Sequence, residues 1–374
     1  MKLFDVYKTF DITPVKANGV FVYDESGREY LDFYGGHAVI SIGHSHPVYV
    51  NSITEQLKRI GFYSNAVINP LQSELAIELA KVSDCINYEL FLCNSGAEAN
   101  ENALKLASFH TNRKKIIAFK NGFHGRTSAA VAATDNPKII APLNDQHAVE
   151  HLDFGDIDKL RTALNKGDCC AVIIECIQGI GGLNEADTNF LSELENLCRK
   201  NGTVLIADEV QSGYGRTGQF FSFQKHGIKP DIITMAKGMG NGFPIGGLLI
   251  HNSIEAKMGM LGTTFGGNHL ACAAAIAVLK VMEQEQLMSH VQELSDYFRE
   301  QLIRFDGIKA IKGRGLMLGL AFDHPIESLR KQLLDKHFIF TGNAKDPHVL
   351  RILPPLTIKK EHIDRFIHAL AQEL

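Results

Sequence analysis

Val204-Leu-Ile-Ala-Asp208-Glu-Val-Gln211 and Asp231-Ile-Ile-Thr-Met-Ala-Lys237-Gly-Met-Gly240 share one construction. Each is an apolar run of strand length that closes on a charged residue, a carboxylate in the first and an amine in the second. Apolar runs without alternation belong to parallel strands covered on both faces. A spacing of 29 residues between Asp208 and Lys237 suits one strand–helix–strand step, which brings both charges out at the same edge of one sheet. A lysine at the end of a buried strand is costly to desolvate unless chemistry uses it. Alone, Lys237 reads as a surface lysine that ends a strand. Beside Asp208, Gln211 and the loop described below, it reads as a reactive amine.

Outward from this pair the pattern is α/β from about residue 70. Strands are predicted at 88–93, 115–119, 171–175, 203–207, 231–235 and 247–250. Helical periodicity occupies 72–81, 97–109, 188–201, 271–283 and 288–305. Alternating strands and helices predict a mostly parallel, covered central sheet. The first forty residues alternate apolar and polar, as in Gly19–Asp24 and Gly27–Phe33, and predict a small antiparallel meander. Near the C-terminus, 315–322 and 349–352 read as strands flanking a helix at 326–336. The expected architecture is α/β, a large domain over residues 46–267 and a small α+β domain built from both termini, 1–45 and 268–374.

Composition narrows the function classes. The chain has 374 residues, 45% hydrophobic and 21% charged, which is ordinary for a globular enzyme. A net charge of −4 makes no case for nucleic acid or membrane surfaces. The opening Met1-Lys-Leu-Phe-Asp-Val-Tyr-Lys carries an acid and lacks the apolar core of a signal peptide. Seven cysteines, an odd number with no CxxC pair, fit buried reduced thiols in a cytoplasmic protein, and no metal site is expected from them. His44-Ser-His46 stands before Pro47, where a turn is a better reading than a metal pair. The Gly238-Met-Gly-Asn-Gly242 run lacks dinucleotide spacing.

Asn94-Ser-Gly-Ala-Glu98 joins a strand to a helix. Small residues let backbone amides approach an anion, and the helix N-terminus favours its charge. Ser95 and Glu98 equally fit a helix cap and capping box. Phe123, between glycines after the next strand, can stack on a planar ring, or simply pack. Arg126 can clamp a carboxylate, or stay in solvent. An amine, a carboxylate and a phosphate loop together are what pyridoxal 5′-phosphate requires: a lysine for the Schiff base and an acid for the pyridinium nitrogen.

Nearly end to end, these motifs resemble the fold-type I, pyridoxal-phosphate-dependent class III (ω-amino acid) aminotransferases, in their acetylornithine and succinylornithine branch. The resemblance is carried by Tyr30-Leu-Asp-Phe33, Gly43-His-Ser-His-Pro47, Asn94–Glu98, Phe123-His-Gly-Arg126, Gln178-Gly179, Asp208–Gln211, Gly213-Tyr-Gly-Arg-Thr-Gly218, Lys237-Gly238, Thr264-Phe-Gly-Gly-Asn268 and Arg351-Ile-Leu-Pro-Pro355. It implies that Lys237 holds the cofactor and shuttles the proton. Asp208 pairs with the ring nitrogen, Gln211 with the phenolic oxygen, and Ser95, Gly96 and Ala97 with the phosphate. Phe123 covers the ring, and Thr264 reaches the phosphate of a partner in a homodimer. Arg126 is implied to take the donor's α-carboxylate and Arg351 the α-carboxylate of 2-oxoglutarate or glutamate, with Glu175 behind them. The implied reaction moves the δ-amino group of an N-acylated ornithine to 2-oxoglutarate, in arginine biosynthesis; ornithine and 4-aminobutyrate are the alternative donors.

Three positions depart from the resemblance. Ile180 stands where relatives carry a glutamate that masks the arginine matched by Arg351, so Arg351 is expected to find solvent or another acid. His37 replaces an apolar residue or tyrosine near the substrate, and His269 replaces a frequent proline. With Arg351 unmasked, an N-acylated donor is favoured over free ornithine, and a succinyl group over an acetyl group.

Overall fold

The computed structural model describes residues 1–374. Its centre is a seven-stranded sheet in the order Tyr88–Cys93, Gly246–His251, Ile232–Met235, Val204–Asp208, Cys169–Ile174, Lys115–Phe119, Val149–Leu152. Every pairing is parallel except the two made by Gly246–His251. Cys169–Ile174 and Val204–Asp208 are buried at every position, which is why their sequences are apolar without alternation. Helix Gly96–Thr111 packs on five of these strands. Helix Thr188–Asn201 is started by Asp187, whose side chain accepts from Phe190 N–H, and stopped by left-handed Gly202. All seven cysteines are buried and unpaired. No helix is long and apolar enough to cross a membrane.

The step from Asp208 to Lys237 differs from the sequence expectation. No α-helix joins the two parallel strands; the chain makes only a 3-10 turn at Ser222–His226. Gly215 and Gly218 hold φ of +78° and +83°, a conformation no helix continues through. Between them Arg216, 2% exposed, takes the place of a helix. Its guanidinium donates to the carbonyls of Leu316, Pro354 and Ile40, pinning this loop to both terminal parts of the chain. Burial without a carboxylate partner pulls its pKa down to about 9.

The terminal parts form two four-stranded sheets. One is the predicted meander, Pro14–Asn18, Phe21–Asp24 and Glu29–Asp32, extended by Ile339–Phe340 in parallel to Glu29–Asp32. The other contains Ala310–Arg314, Met317–Ala321, Val349–Ile352 and Gly342–Asn343. The single strand expected over 315–322 is thus the second arm of a hairpin that turns at left-handed Gly315. Helix His269–Gln284 packs on Pro47–Arg59 and Pro70–Ser83. After Asp32 the backbone does something rare. Gly35, Gly36, His37 and Ala38 hold φ of +56°, +55°, +68° and +63°, one turn of left-handed helix. Asp32 Oδ1 fixes its entry by accepting from the amides of Tyr34 and Gly35.

Candidate active site

A cleft of about 400 Å³ opens at the carboxyl ends of the central strands, the place where side chains from several strands converge in an α/β sheet. Ser95, Gly96, Ala97, Phe123, Arg126, Glu175, Ile180, Asp208, Gln211 and Lys237 all line it.

Asp208 is the best-held carboxylate in the cleft. Its Oδ2 accepts from Asn100 Nδ2 at 2.7 Å and lies 2.8 Å from His124 Nδ1, and its Oδ1 accepts from Val210 N–H at 3.0 Å. Burial disfavours a charged His124, but Asp208 overrides it and holds the imidazole above the ordinary histidine range. Asn100 is itself fixed, donating also to His124 O and accepting from Thr234 Oγ1. Strand alternation sends the neighbouring Glu209 the other way, where Ser212, Ser222 and Phe223 saturate it. Sequence pattern singles out neither His124 nor Asn100. His124 lies inside the Phe123–Arg126 motif, and Asn100 is a lone buried amide on an alanine-rich helix.

Lys237 follows its strand after one extended residue and opens a 3-10 turn at φ +47°, left-handed for a non-glycine residue. Such a conformation costs about 1–2 kcal/mol, which the surrounding fold sustains. Burial pulls its amine down to about 8; Asp208 and Glu175 oppose this through space, and Arg351 reinforces it.

The Asn94–Glu98 loop makes the expected helix cap and stays open to an anion. Ser95 Oγ accepts from Glu98 N–H at 3.2 Å, and Glu98 Oε2 accepts from Asn94 N–H at 2.6 Å and its Nδ2 at 2.9 Å. The amides of Gly96 and Ala97 find no acceptor in the chain. A Cβ on Gly96 would stand 2.5 Å from Val210 Cγ1, so only glycine lets this loop sit down on the sheet. Glu175 accepts from Phe123 N–H at 2.8 Å and Gly179 N–H at 2.9 Å, and burial raises its pKa.

Arg351 corrects an expectation. It is 1% exposed and has no carboxylate partner, so it finds neither solvent nor an acid. Neutral acceptors hold it instead: Asn343 O at 2.6 Å, Gly179 O at 3.3 Å and Gln211 Oε1 at 3.3 Å. Burial pulls its pKa down to about 10. Gln211 donates in turn to His37 O at 3.0 Å. The left-handed turn leaves His37 exposed, with the Tyr34 hydroxyl 2.6 Å from its ring nitrogens. Partial burial and the cations Arg351, Lys237 and Arg330 hold His37 down to about 4. Arg126 is exposed at the cleft mouth. Thr264 is not brought to the cleft of its own chain: it lies exposed, while its neighbour Thr263 meets Asn94 Nδ2.

An unpartnered amine, a fixed carboxylate, open helix-start amides and an aromatic ring suit pyridoxal phosphate. Comparison with known proteins agrees. The Aminotransferase class-III family profile matches residues 5–374. The chain belongs to the class-III aminotransferases. It is 41% identical to the acetylornithine aminotransferase of Aquifex aeolicus (strain VF5) over 100% of this chain and 99% of that one. With its namesake from Bacillus subtilis (strain 168) the identity is 39%, over 100% and 97%. Among solved structures, the acetylornithine aminotransferase of Elizabethkingia anophelis shares 30% identity at a TM-score of 0.86, covering 98% of this chain and 95% of that one. The ornithine aminotransferase of Toxoplasma gondii ME49 shares 29% at 0.90, covering 98% and 92%. As a class-III aminotransferase, the protein is a pyridoxal-phosphate-dependent enzyme of the fold-type I architecture.

Proposed function

We propose that this aminotransferase moves the δ-amino group of an N2-acylated ornithine to 2-oxoglutarate, giving the semialdehyde and glutamate, as a step of arginine biosynthesis. One observation carries the reading most. A buried guanidinium, Arg351, is left without an acid beside a cleft whose mouth presents a second, Arg126. Two such groups suit two acidic substrates that take turns at one amine. The names of the relatives add the acyl group.

Pyridoxal phosphate, when bound, supplies the electron sink that lets a C–H bond break beside the reacting nitrogen. Asp208, fixed by Asn100, His124 and Val210, would face the ring nitrogen, and Phe123 would cover one ring face. Ser95 and the amides of Gly96 and Ala97 would take the phosphate. Gln211 keeps one N–H free for the phenolic oxygen. Lys237, whose pKa near 8 leaves a usable neutral fraction at neutral pH, carries the proton at the reacting carbon. Arg126 orients the donor by its α-carboxylate and Arg351 the oxo acid by its own.

The enzyme works as a cytoplasmic homodimer, each Thr264 reaching the partner's phosphate site. Exposed Phe62, Tyr63, Ile68 and Phe265 support a covered face around that loop. A donor panel with 2-oxoglutarate as acceptor tests the reading. N-acetyl- and N-succinylornithine should exceed ornithine and 4-aminobutyrate in kcat/KM. Preference for free ornithine would replace this reading with an ornithine ω-aminotransferase, the activity in the name of the Toxoplasma neighbour.

A further inference from the structure

Beside the cleft lies a side chamber of about 270 Å³. Phe123 and Ile180 line both spaces, so they form the partition between them. Arg351 lines the chamber and is absent from the cleft lining. Lys345 and Asp135 form another part of the chamber wall, joined at 2.9 Å through Lys345 Nζ and Asp135 Oδ2. Lys345 Nζ also donates to Asp135 O at 3.0 Å, and its backbone amide donates to Ile180 O at 2.8 Å, which seats it against the partition. An ammonium has three donors, and only two are used.

The charge balance of this chamber is uneven. Lys345 and Asp135 cancel. Arg351 has only neutral acceptors. The remaining polar lining, Asn121, Thr134, Asn136, Asn343 and His37, carries no charge at neutral pH, since burial and the nearby cations hold His37 down to about 4. A chamber with one uncompensated cation and a second cation holding a spare donor accepts an anion rather than an apolar group. Half-exposed ion pairs are weak, so Lys345 can share its charge with a ligand at small cost.

We propose that this chamber is the subsite for the non-reacting acyl arm of the donor, and that Lys345 is a specificity-determining residue that selects acyl groups ending in a carboxylate. Asp135 tempers that selection by competing for the same ammonium. This assignment rests on the acylornithine reading above.

The test uses the holoenzyme and its Lys345→Met, Lys345→Arg and Asp135→Asn variants, with N-succinylornithine and N-acetylornithine as donors. Asp135→Asn keeps an acceptor oxygen for Asn121 N–H, which Asp135 Oδ2 now takes at 2.7 Å. Lys345→Met should lower kcat/KM for the succinyl donor about tenfold, the scale of one charge-assisted contact, chiefly through KM, and leave the acetyl donor within about twofold. Asp135→Asn should raise the succinyl value about threefold, and Lys345→Arg should keep it. A pair that merely staples two loops predicts that Met and Asn variants fall together on both donors; that pattern overturns the proposal. Half-saturation by the oxo acid acceptor should stay unchanged in all three variants, and a weaker apparent affinity for it would likewise overturn the assignment to the donor arm. If the wild type turns over neither acylornithine, the acyl-donor reading itself has failed before any variant is compared.

Discussion

Two regions of this enzyme handle buried charge in opposite ways. At the cleft floor, Asp208 is tied down by Asn100, His124 and Val210, and in return it raises the pKa of His124 against the effect of burial. In the side chamber, Arg351 is buried as deeply, yet only carbonyl and amide oxygens face it. The floor serves a group that stays through every turnover, so its charges are settled within the protein. The chamber serves ligands that come and go, so its charge is held open for them. Breaking the first arrangement should damage chemistry, and altering the second should redistribute substrates.

The largest effect belongs to Lys237→Ala. Turnover should fall by about 10⁴-fold or more, since the amine that holds and moves the proton is gone. The circular dichroism spectrum should stay native, because nothing in the fold bonds to that amine. Asp208→Asn comes next. A rate loss of about 10²–10³-fold is expected, the scale seen when developing charge loses a preorganised partner. The cofactor should remain bound through its phosphate, as read from visible absorbance after gel filtration. A near-native rate would show that the floor's settled charge is not what the reaction uses.

Acidity gives a third, smaller test. Capture of pyridoxal phosphate by the cofactor-free protein requires neutral Lys237. Its rate should rise about tenfold per pH unit below about 8 and level off above, well short of the ordinary lysine value near 10.4. The linked stability has the same sign. Between these two values the unfolded chain holds a proton that the folded chain lacks, so this group's contribution makes the cofactor-free protein more stable as pH rises through that window. A capture profile still climbing steeply at pH 10 would mean that burial does not depress this amine.

The smallest effect tests the chamber. Ile180→Glu places a carboxylate at the partition beside Arg351 and settles its charge as the floor's is settled. The ratio of succinyl to acetyl donor in kcat/KM should drop about five- to tenfold, the worth of a partly buried charge pair. Free ornithine should gain. An unchanged donor ranking would show that the open charge of Arg351 plays no part in choosing the donor.

Much of this molecule is legible in its sequence because strand ends are legible. Apolar runs that stop on Asp208 and Lys237 disclose the sheet, its edge and the two reactive groups together. The 208–237 connection reads wrongly as helical, since spacing alone does not distinguish a helix from a loop riveted by a buried arginine. Arg216 looks like any arginine in a glycine-rich stretch; its burial depends on carbonyls at positions 40, 316 and 354, which no local pattern connects. Resemblance finds Arg351 but not its partners, because most of them are backbone oxygens, and backbone oxygens carry no residue identity. His124 and Asn100 escape for a related reason: each is marked by its distance to Asp208, not by its neighbours in the chain.

Strand Glu29–Asp32 takes Ile339–Phe340 as its parallel neighbour, and the left-handed turn that follows it is closed by Leu353, whose amide donates to Phe33 O. A Cβ on Gly35 would stand 2.8 Å from Leu353 O, so the two ends of the chain meet there at closest packing. During synthesis this has a temporal meaning. Every strand of the central sheet has been made by His251, but the His37 wall and the Arg351 chamber cannot exist until nearly the whole polypeptide has emerged. A nascent or prematurely ended chain therefore owns the reactive lysine without the substrate walls around it, and competence arrives only with the last strands of the protein.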